Sequence, residues 1–452
     1  MTATSERRTD PAPLSIGIDE ARTSRKAAQS SRTRRIAIAS SVGAIIDWYD
    51  FFLYGTASAV VFGPLFFPSQ GVSTELLAAF GTFAIGFLFR PVGGAVFGHF
   101  GDKVGRRAML ALTVIIMGVA SALIGLLPTF STVGIWAPIM LVTLRAVQGF
   151  AVGGEWGGAA LMAVESAPKG RQNILSSGVQ TGPFIGLLLG TAAFFGFQRY
   201  TTHAQFMDWG WRVPFLLSAV LAAVGLWIRS SLPESEEFEA IKEKNKIVRA
   251  PLMTVLKTCR KEILAVVGMR LLDQTPYYLA FTFSLAYVAN YTKVPVGDVM
   301  IASMISMVIA TVTLPMYARW ADRVGIKWFY IVSSLVGAGA AYPFFLALES
   351  GSILWMTLGF FAMINVCHNM SGAVQPVWFA RMFDMKVRYS GAGFGYALAG
   401  AVGGFFPLIA AALVTHANGA WQPVAGFVAA VCLIGGLAGW WSYRWTVERA
   451  DQ

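Results

Sequence analysis

The chain has 452 residues, 56% of them hydrophobic and only 13% charged, with a mean hydropathy of +0.59. Soluble domains carry about a quarter charged residues, so an ordinary water-soluble fold is excluded. The net charge of +11 would suit nucleic acid, but no basic face interleaved with exposed aromatic residues is present, and nucleic acid is not expected as a partner.

Residues 1–35 are polar and Arg-rich without an apolar core, which predicts a disordered basic cytoplasmic tail rather than a cleaved signal. Apolar helical spans follow near 36–66, 75–98, 108–127, 135–163, 173–197 and 211–230. A second series covers 262–290, 298–319, 327–348, 352–380, 389–414 and 420–443. Each reaches the ~20 residues needed to cross ~30 Å of hydrocarbon. The fold class is therefore an all-α membrane protein of twelve transmembrane helices in the lipid bilayer. Between the two series lies the polar linker 231–261, with Glu234, Glu236, Glu237 and Glu239 ahead of Lys242, Lys244 and Lys246. It divides a six-helix bundle at 36–230 from another at 262–446, and 447–452 forms a short tail. Cys259, Cys367 and Cys432 are scattered and support neither a disulfide framework nor a metal site.

Twenty-nine of the 35 Lys and Arg fall in the tails and loops of one side, whereas the other side keeps only Arg199, Arg212 and Lys293. The positive-inside bias places both termini in the cytoplasm of a multi-pass cell-membrane protein. Loop 2–3 reads GHFGDKVGRR from residue 98 and loop 8–9 reads ARWADRVGIK from 318, aligning Asp102 with Asp322 and Gly105 with Gly325. Duplicated six-helix units of this kind build secondary transporters, with the site near the midplane between the halves.

These motifs resemble the major facilitator superfamily. Gly98, Asp102, Gly105, Arg106 and Arg107 match its loop 2–3 signature, and RAVQGFAVGGEWGGA, 145–159, resembles its fourth-span motif. DWYDFFLYG, FRPVGGAVFGHFGD, MDWGWRVPF and KVRYSGAGFGY are similar to the metabolite:proton symporters, which carry shikimate, citrate, 2-oxoglutarate or proline/betaine. The resemblance implies two six-helix bundles with helices 1, 4, 7 and 10 lining a cavity. It also implies an interdomain lock at the cytoplasmic face, involving Asp102, Arg106, Arg107, Glu165 and the repeat residue Asp322; solvated loop charges are the alternative. Two stretches depart from the pattern. ARMF carries Arg381 where an acidic residue is usual, and GVQTGPFIG, 178–186, approaches a motif of drug/proton antiporters.

Helical rise gives depth. Asp47 and Asp50 lie about 16 and 21 Å from the cytoplasmic end of helix 1, and Arg145 about 14 Å from the outer end of helix 4. Asp273 and Asn365 also come out near the middle. Buried charges are costly in a bilayer and mark substrate or proton paths. Asp50, Asp47 and Asp273 are therefore the candidate proton-coupling groups, and Arg145 the candidate anchor for a carboxylate. Tyr54 shares the face of Asp50, and Tyr277 that of Asp273. Asn365, His368 and Asn369 form an i, i+3, i+4 patch that either binds substrate or joins helices. Arg90 and Glu155 come out near the cytoplasmic boundary, where gate or scaffold pairing is expected. Gly149, Gly153, Gly154, Gly157 and Gly158 give helix 4 a face suited to close packing or to a hinge.

The function expected is import of a small organic acid with a proton by alternating access, without a cofactor and by a monomer. Proton-coupled export of an apolar or cationic compound is the alternative. An enzyme is not expected: His99, His203, His368 and His416 are dispersed, and no G-x-S-x-G elbow or P-loop is present.

Overall fold

The computed structural model describes residues 48–68, 72–104, 106–153, 170–230, 251–383 and 388–450, with isolated positions between 42 and 46 and between 160 and 167. Asp47, Gly105, Glu155, Glu165, the tail 1–35 and the Glu/Lys run of the linker lie outside the described residues. Gly98, Asp102, Arg106 and Arg107 are described as helical backbone only.

Twelve helical passes run through the described residues, and no strand occurs among them. In the first half they are α1 (48–60), α2 (Val72–Leu88 continuing as Arg90–Val104) and α3 (Arg106–Leu126). Next come α4 (Trp136–Val152), α5 (Gln172–Tyr200) and α6 (Arg212–Ser230). In the second half α7 is Arg260–Tyr278 prolonged to Tyr291, followed by α8 (Val296–Val324) and α9 (Lys327–Glu349). The last three are α10 (Ile353–Met382), α11 (Arg388–Gly403 resumed at Phe406–His416) and α12 (Gln422–Ala450).

Polarity is distributed inside out relative to a soluble protein. Leu126, Trp227, Val312, Leu335 and Leu437 face outward, while Asp50, Arg145, Arg270, Asp273, Asn365 and Gln375 are buried. Lipid is the solvent that makes both choices favourable, since backbone polar groups are satisfied within helices and charges are kept off hydrocarbon. Among the described residues, eight helices are long and apolar enough to cross a membrane by length and composition alone; α1, α3, α4 and α7 are not among them. For α7 the reason is its load of Arg270, Asp273 and Gln274, all buried. Such polar helices need partners on every side.

Between α2 and α4 the contact is backbone to backbone. A Cβ on Gly149 would overlap the Gly86 carbonyl, one on Gly153 the Arg90 carbonyl, and one on Gly93 the Phe150 carbonyl. Missing side chains let the axes approach until main-chain atoms touch, which is how small residues pack helices in lipid. The described part of the glycine face of α4 is thus a packing surface. At the far end of the same half, Arg212 donates to the carbonyls of Gly125 and Leu127 at 3.0 and 2.5 Å, closing the C-terminus of α3. The Tyr49 hydroxyl donates to the Pro214 carbonyl at 2.8 Å. The MDWGWRVPF stretch therefore ties α6 to α1 and α3.

Four helices are less regular than their apolar runs suggest. α2 turns at Phe89, and α11 is interrupted between Gly403 and Phe406. α7 and α10 contain π segments at Leu279–Phe283 and Phe361–His368. Such wide turns leave carbonyls less regularly paired and rotate the face beyond them, and they cluster at functional sites. The two halves meet along α5 and α8, with α2 against α11 and α5 against α10 as further seams.

Candidate transport site

At the centre, α1 presents aromatic rings to both halves. Phe51 lies 5.2 Å from Phe83 and 4.8 Å from Phe87 of α2, and Phe52 lies 5.0 Å from Tyr277 of α7. Tyr277 also meets Phe184 of α5 at 5.5 Å and His368 of α10 at 4.7 Å. Its neighbour Tyr278 reaches back to Phe87 at 5.2 Å. The α7 tyrosines thus pack against rings of the first half, and Tyr277 touches α1, α5 and α10 at once. The Tyr277 hydroxyl is buried without a hydrogen-bond partner among the described residues.

Arg145 sits in this cluster with 1% of its surface exposed. Its guanidinium carbon lies 4.1, 4.7 and 5.1 Å from the ring centroids of Tyr54, Phe51 and Phe83. Nη1 donates to Gln148 at 3.2 Å, and Gln148 in turn donates to Ser121 at 2.8 Å. Nε and Nη2 have no acceptor among the described residues. Gly86 makes room for the group, since a Cβ there would stand 2.5 Å from Nε. Tyr54 donates to Thr82 at 2.7 Å, so its role here is to hold its ring beneath the guanidinium. Asp50 is fully buried on the same helix as Phe51 and interacts electrostatically with Arg145. Arg90 also lies against this crevice: its guanidinium carbon is 4.5 Å from the Phe51 ring and 4.3 Å from Phe87.

The second half carries the opposite arrangement. Arg270 pairs with Asp273 one turn later, donates to Gln375 at 3.2 Å and to Tyr396 at 2.5 Å. Gln375 donates to the second Asp273 oxygen at 2.8 Å and to Tyr330 at 2.9 Å. Tyr330 closes the network on the Met269 carbonyl at 2.7 Å. A buried ion pair survives desolvation when its remaining lone pairs and protons are met in this way, here all but the N–H of Arg270 Nε, which has no acceptor among the described residues. Asp273 is therefore part of a closed strut joining α7, α9, α10 and α11.

The polar patch of α10 divides. Asn365 donates to Ser306 Oγ at 2.7 Å and accepts from Thr313 at 3.0 Å, while Asn369 donates to Thr313 at 2.8 Å. Both amides clasp α8. His368 turns the other way, with Nδ1 2.9 Å from the Asp273 carbonyl and its ring against Tyr277. Arg270, Gln375 and Tyr330 were not assigned a role from sequence. The Arg270/Asp273 spacing of i, i+3 was the available signal.

At the end carrying loops 4–5 and 8–9, Asp322 of α8 crosses the seam. One oxygen accepts from Asn173 N at 3.1 Å and Asn173 Nδ2 at 2.8 Å, the other from Ile174 N at 3.1 Å. A carboxylate thus caps the N-terminus of α5, where unsatisfied N–H groups and the helix dipole favour it. Donors and acceptor belong to different halves, so the bonds exist only while this end is shut. Asp322→Ala should therefore lose about 1 kcal/mol from the shut state alone, the worth of a helix cap, and shift its population severalfold. A cysteine at Gln180, in a chain lacking its native cysteines, should then react faster with a maleimide from that end. An unchanged rate would show that the cap does not bias the gate. Among the described residues no cluster of His, Cys, Asp and Glu could hold a metal ion.

Residues 36–252 match the family described as Sugar (and other) transporter, and residues 266–451 match the Major Facilitator Superfamily. The chain is 47% identical over 407 residues to the shikimate transporter of Escherichia coli (strain K12), covering 89% of this chain and 93% of that one. Identity is 38% to an inner membrane metabolite transport protein of the same organism, over 84% and 88% of the two chains. It is 31% to the E. coli proline/betaine transporter, over 90% and 83%. A crystal structure of a D-xylose-proton symporter superposes with a TM-score of 0.68 at 17% identity, over 90% of this chain and 97% of that one, a likeness of fold. With twelve helical passes, an apolar exterior and buried charge at the seam of its halves, the chain is a multi-pass membrane transporter and belongs to the metabolite:proton symporters of the major facilitator superfamily.

Proposed function

We propose that the protein imports a small cyclic organic acid of the shikimate type together with a proton, with both termini in the cytoplasm. The observation that carries this reading is the pair of acceptorless donors, Nε and Nη2, on the buried guanidinium of Arg145. Together these atoms form the edge of the guanidinium that a carboxylate engages by two parallel hydrogen bonds. The surrounding rings of Phe51, Tyr54 and Phe83 supply an apolar wall that accepts the face of a carbocycle. The 47% identity to a shikimate transporter supports the same class.

Asp50 is the proposed proton carrier. It shares α1 with the Phe51 and Tyr54 rings of the Arg145 crevice and interacts electrostatically with Arg145, and Asp273 is part of the strut with Arg270 and Gln375. A carboxylate leaving water resists staying charged, so a proton taken up outside discharges it before the loaded carrier reorients. Water reaching it from the cytoplasm then draws the proton off. Arg145 meanwhile cancels the charge of the acid, which makes uptake of a monoanion with one proton electroneutral.

Proteoliposomes with independently clamped pH and potassium diffusion potential test this directly. Shikimate uptake should rise when the outside is acidified and respond little to potential. Asp50→Asn should abolish accumulation against a gradient while retaining exchange of internal for external substrate. Uphill uptake by Asp50→Asn at the wild-type rate would remove the proton from Asp50. Outward flux driven by proton entry would instead establish an exporter.

A further inference from the structure

We infer that the cavity at the Asp322 end of the seam binds a small oxyanion, carrying a phosphate or carboxylate group, and that this ligand holds that end shut. The cavity has a volume of about 330 Å³ and is walled by Gln172 and Asn173 of α5, Asp322 of α8, Trp378 and Arg381 of α10 and Tyr443 of α12. It therefore draws its walls from both halves of the molecule.

Three features make it a site rather than a packing gap. Trp378 is 1% exposed, yet its indole N–H has no acceptor among the described residues. Its ring is fixed edge-on by Tyr330 at 5.2 Å and Tyr443 at 5.9 Å, so the N–H cannot turn away to find one. A buried donor left unpaired costs free energy that a bound acceptor recovers. Arg381 stands in the wall where the resemblance predicts an acidic residue, and its one hydrogen bond among the described residues, to Gln172 Oε1 at 3.2 Å, crosses the seam. Asp322, the one carboxylate in the wall among the described residues, has both oxygens engaged by N–H donors of α5. A cation and an unused indole N–H thus meet a carboxylate that is already occupied. Arg supplies the planar donor fork that oxyanions fit.

Because the ligand bridges the halves, its binding stabilises the shut state by linkage, and anion at this face slows reopening. The regulatory part rests on the transport reading above; the binding itself does not. The site is tested with purified protein in detergent, by following thermal unfolding against inorganic phosphate at matched ionic strength in chloride. Phosphate should raise the midpoint saturably in the wild type. Arg381→Gln and Trp378→Phe, which keeps the ring, should each weaken its apparent affinity about tenfold, the worth of one hydrogen bond to a charged group. In proteoliposomes, phosphate on this face should slow shikimate uptake in the wild type and not in the variants, with external KM unchanged. Repeating both measurements with and without phosphatidylglycerol separates the sources. An effect that needs the lipid and ignores free phosphate assigns the occupant to a headgroup. Equal phosphate shifts in all three proteins, or none with either lipid composition, overturn the site. Binding that leaves uptake untouched overturns its regulatory role. Absence of shikimate uptake in the wild type would count against the transport reading, while the thermal measurement still decides the site.

Discussion

Asp273→Asn is expected to destabilise the protein by about 3–5 kcal/mol, the cost of stranding one charge of a buried pair. Arg270 is 5% exposed, and with the aspartate neutralised it keeps only Gln375 and Tyr396, neither of which carries a compensating charge. The double variant Arg270→Gln/Asp273→Asn should recover most of that loss, because it removes both charges while leaving groups able to bond Gln375 and Tyr396. Thermal unfolding of the three proteins in detergent reads the difference. A single variant as stable as the wild type but unable to accumulate substrate would move the proton from Asp50 to Asp273.

Arg145→Lys is expected to act on binding instead. An ammonium keeps the charge but cannot offer two parallel donors, and the loss of one charge-assisted hydrogen bond is about 2 kcal/mol, roughly thirtyfold in affinity. Stability should change less, since the single bond lost among the described residues is that from Nη1 to Gln148. Equilibrium binding of shikimate, set beside the unfolding midpoint, separates the two effects. Unaltered affinity would make Arg145 a packing cation seated on Phe51, Tyr54 and Phe83.

The architecture was open to reading from the chain because lipid imposes one requirement, a helix about 20 residues long, on every crossing. Constant helical rise also brings Asp50 and Arg145 to one level, and Phe51, next to Asp50, lies against the Arg145 guanidinium. Depth says nothing of the rings a long side chain meets, and the Arg90 guanidinium lies on Phe51 and Phe87. Periodicity also could not say which way each member of the Asn365, His368, Asn369 patch would face. These residues lie in and just after a π segment, where a 3.6-residue repeat no longer holds, and the two amides went to α8 while the imidazole went to Tyr277. Nor could any local pattern reveal that Gln375 would join Asp273 from 102 positions away. That contact depends on how four helices pack.

The contrast between the two buried guanidiniums bears on how such carriers diversify. Arg270 is bound on several sides by α7, α10 and α11, so a drift mutation there meets an immediate folding penalty. Arg145 has one side-chain bond among the described residues, and what surrounds it there is mostly aromatic carbon. Exchanging one ring for another in that setting alters the shape offered to a cargo at small cost to the scaffold. New specificities are thus most accessible to evolution, and to directed selection, through Phe51, Tyr54 and Phe83. The strut around Arg270 can stay constant while the molecule carried changes.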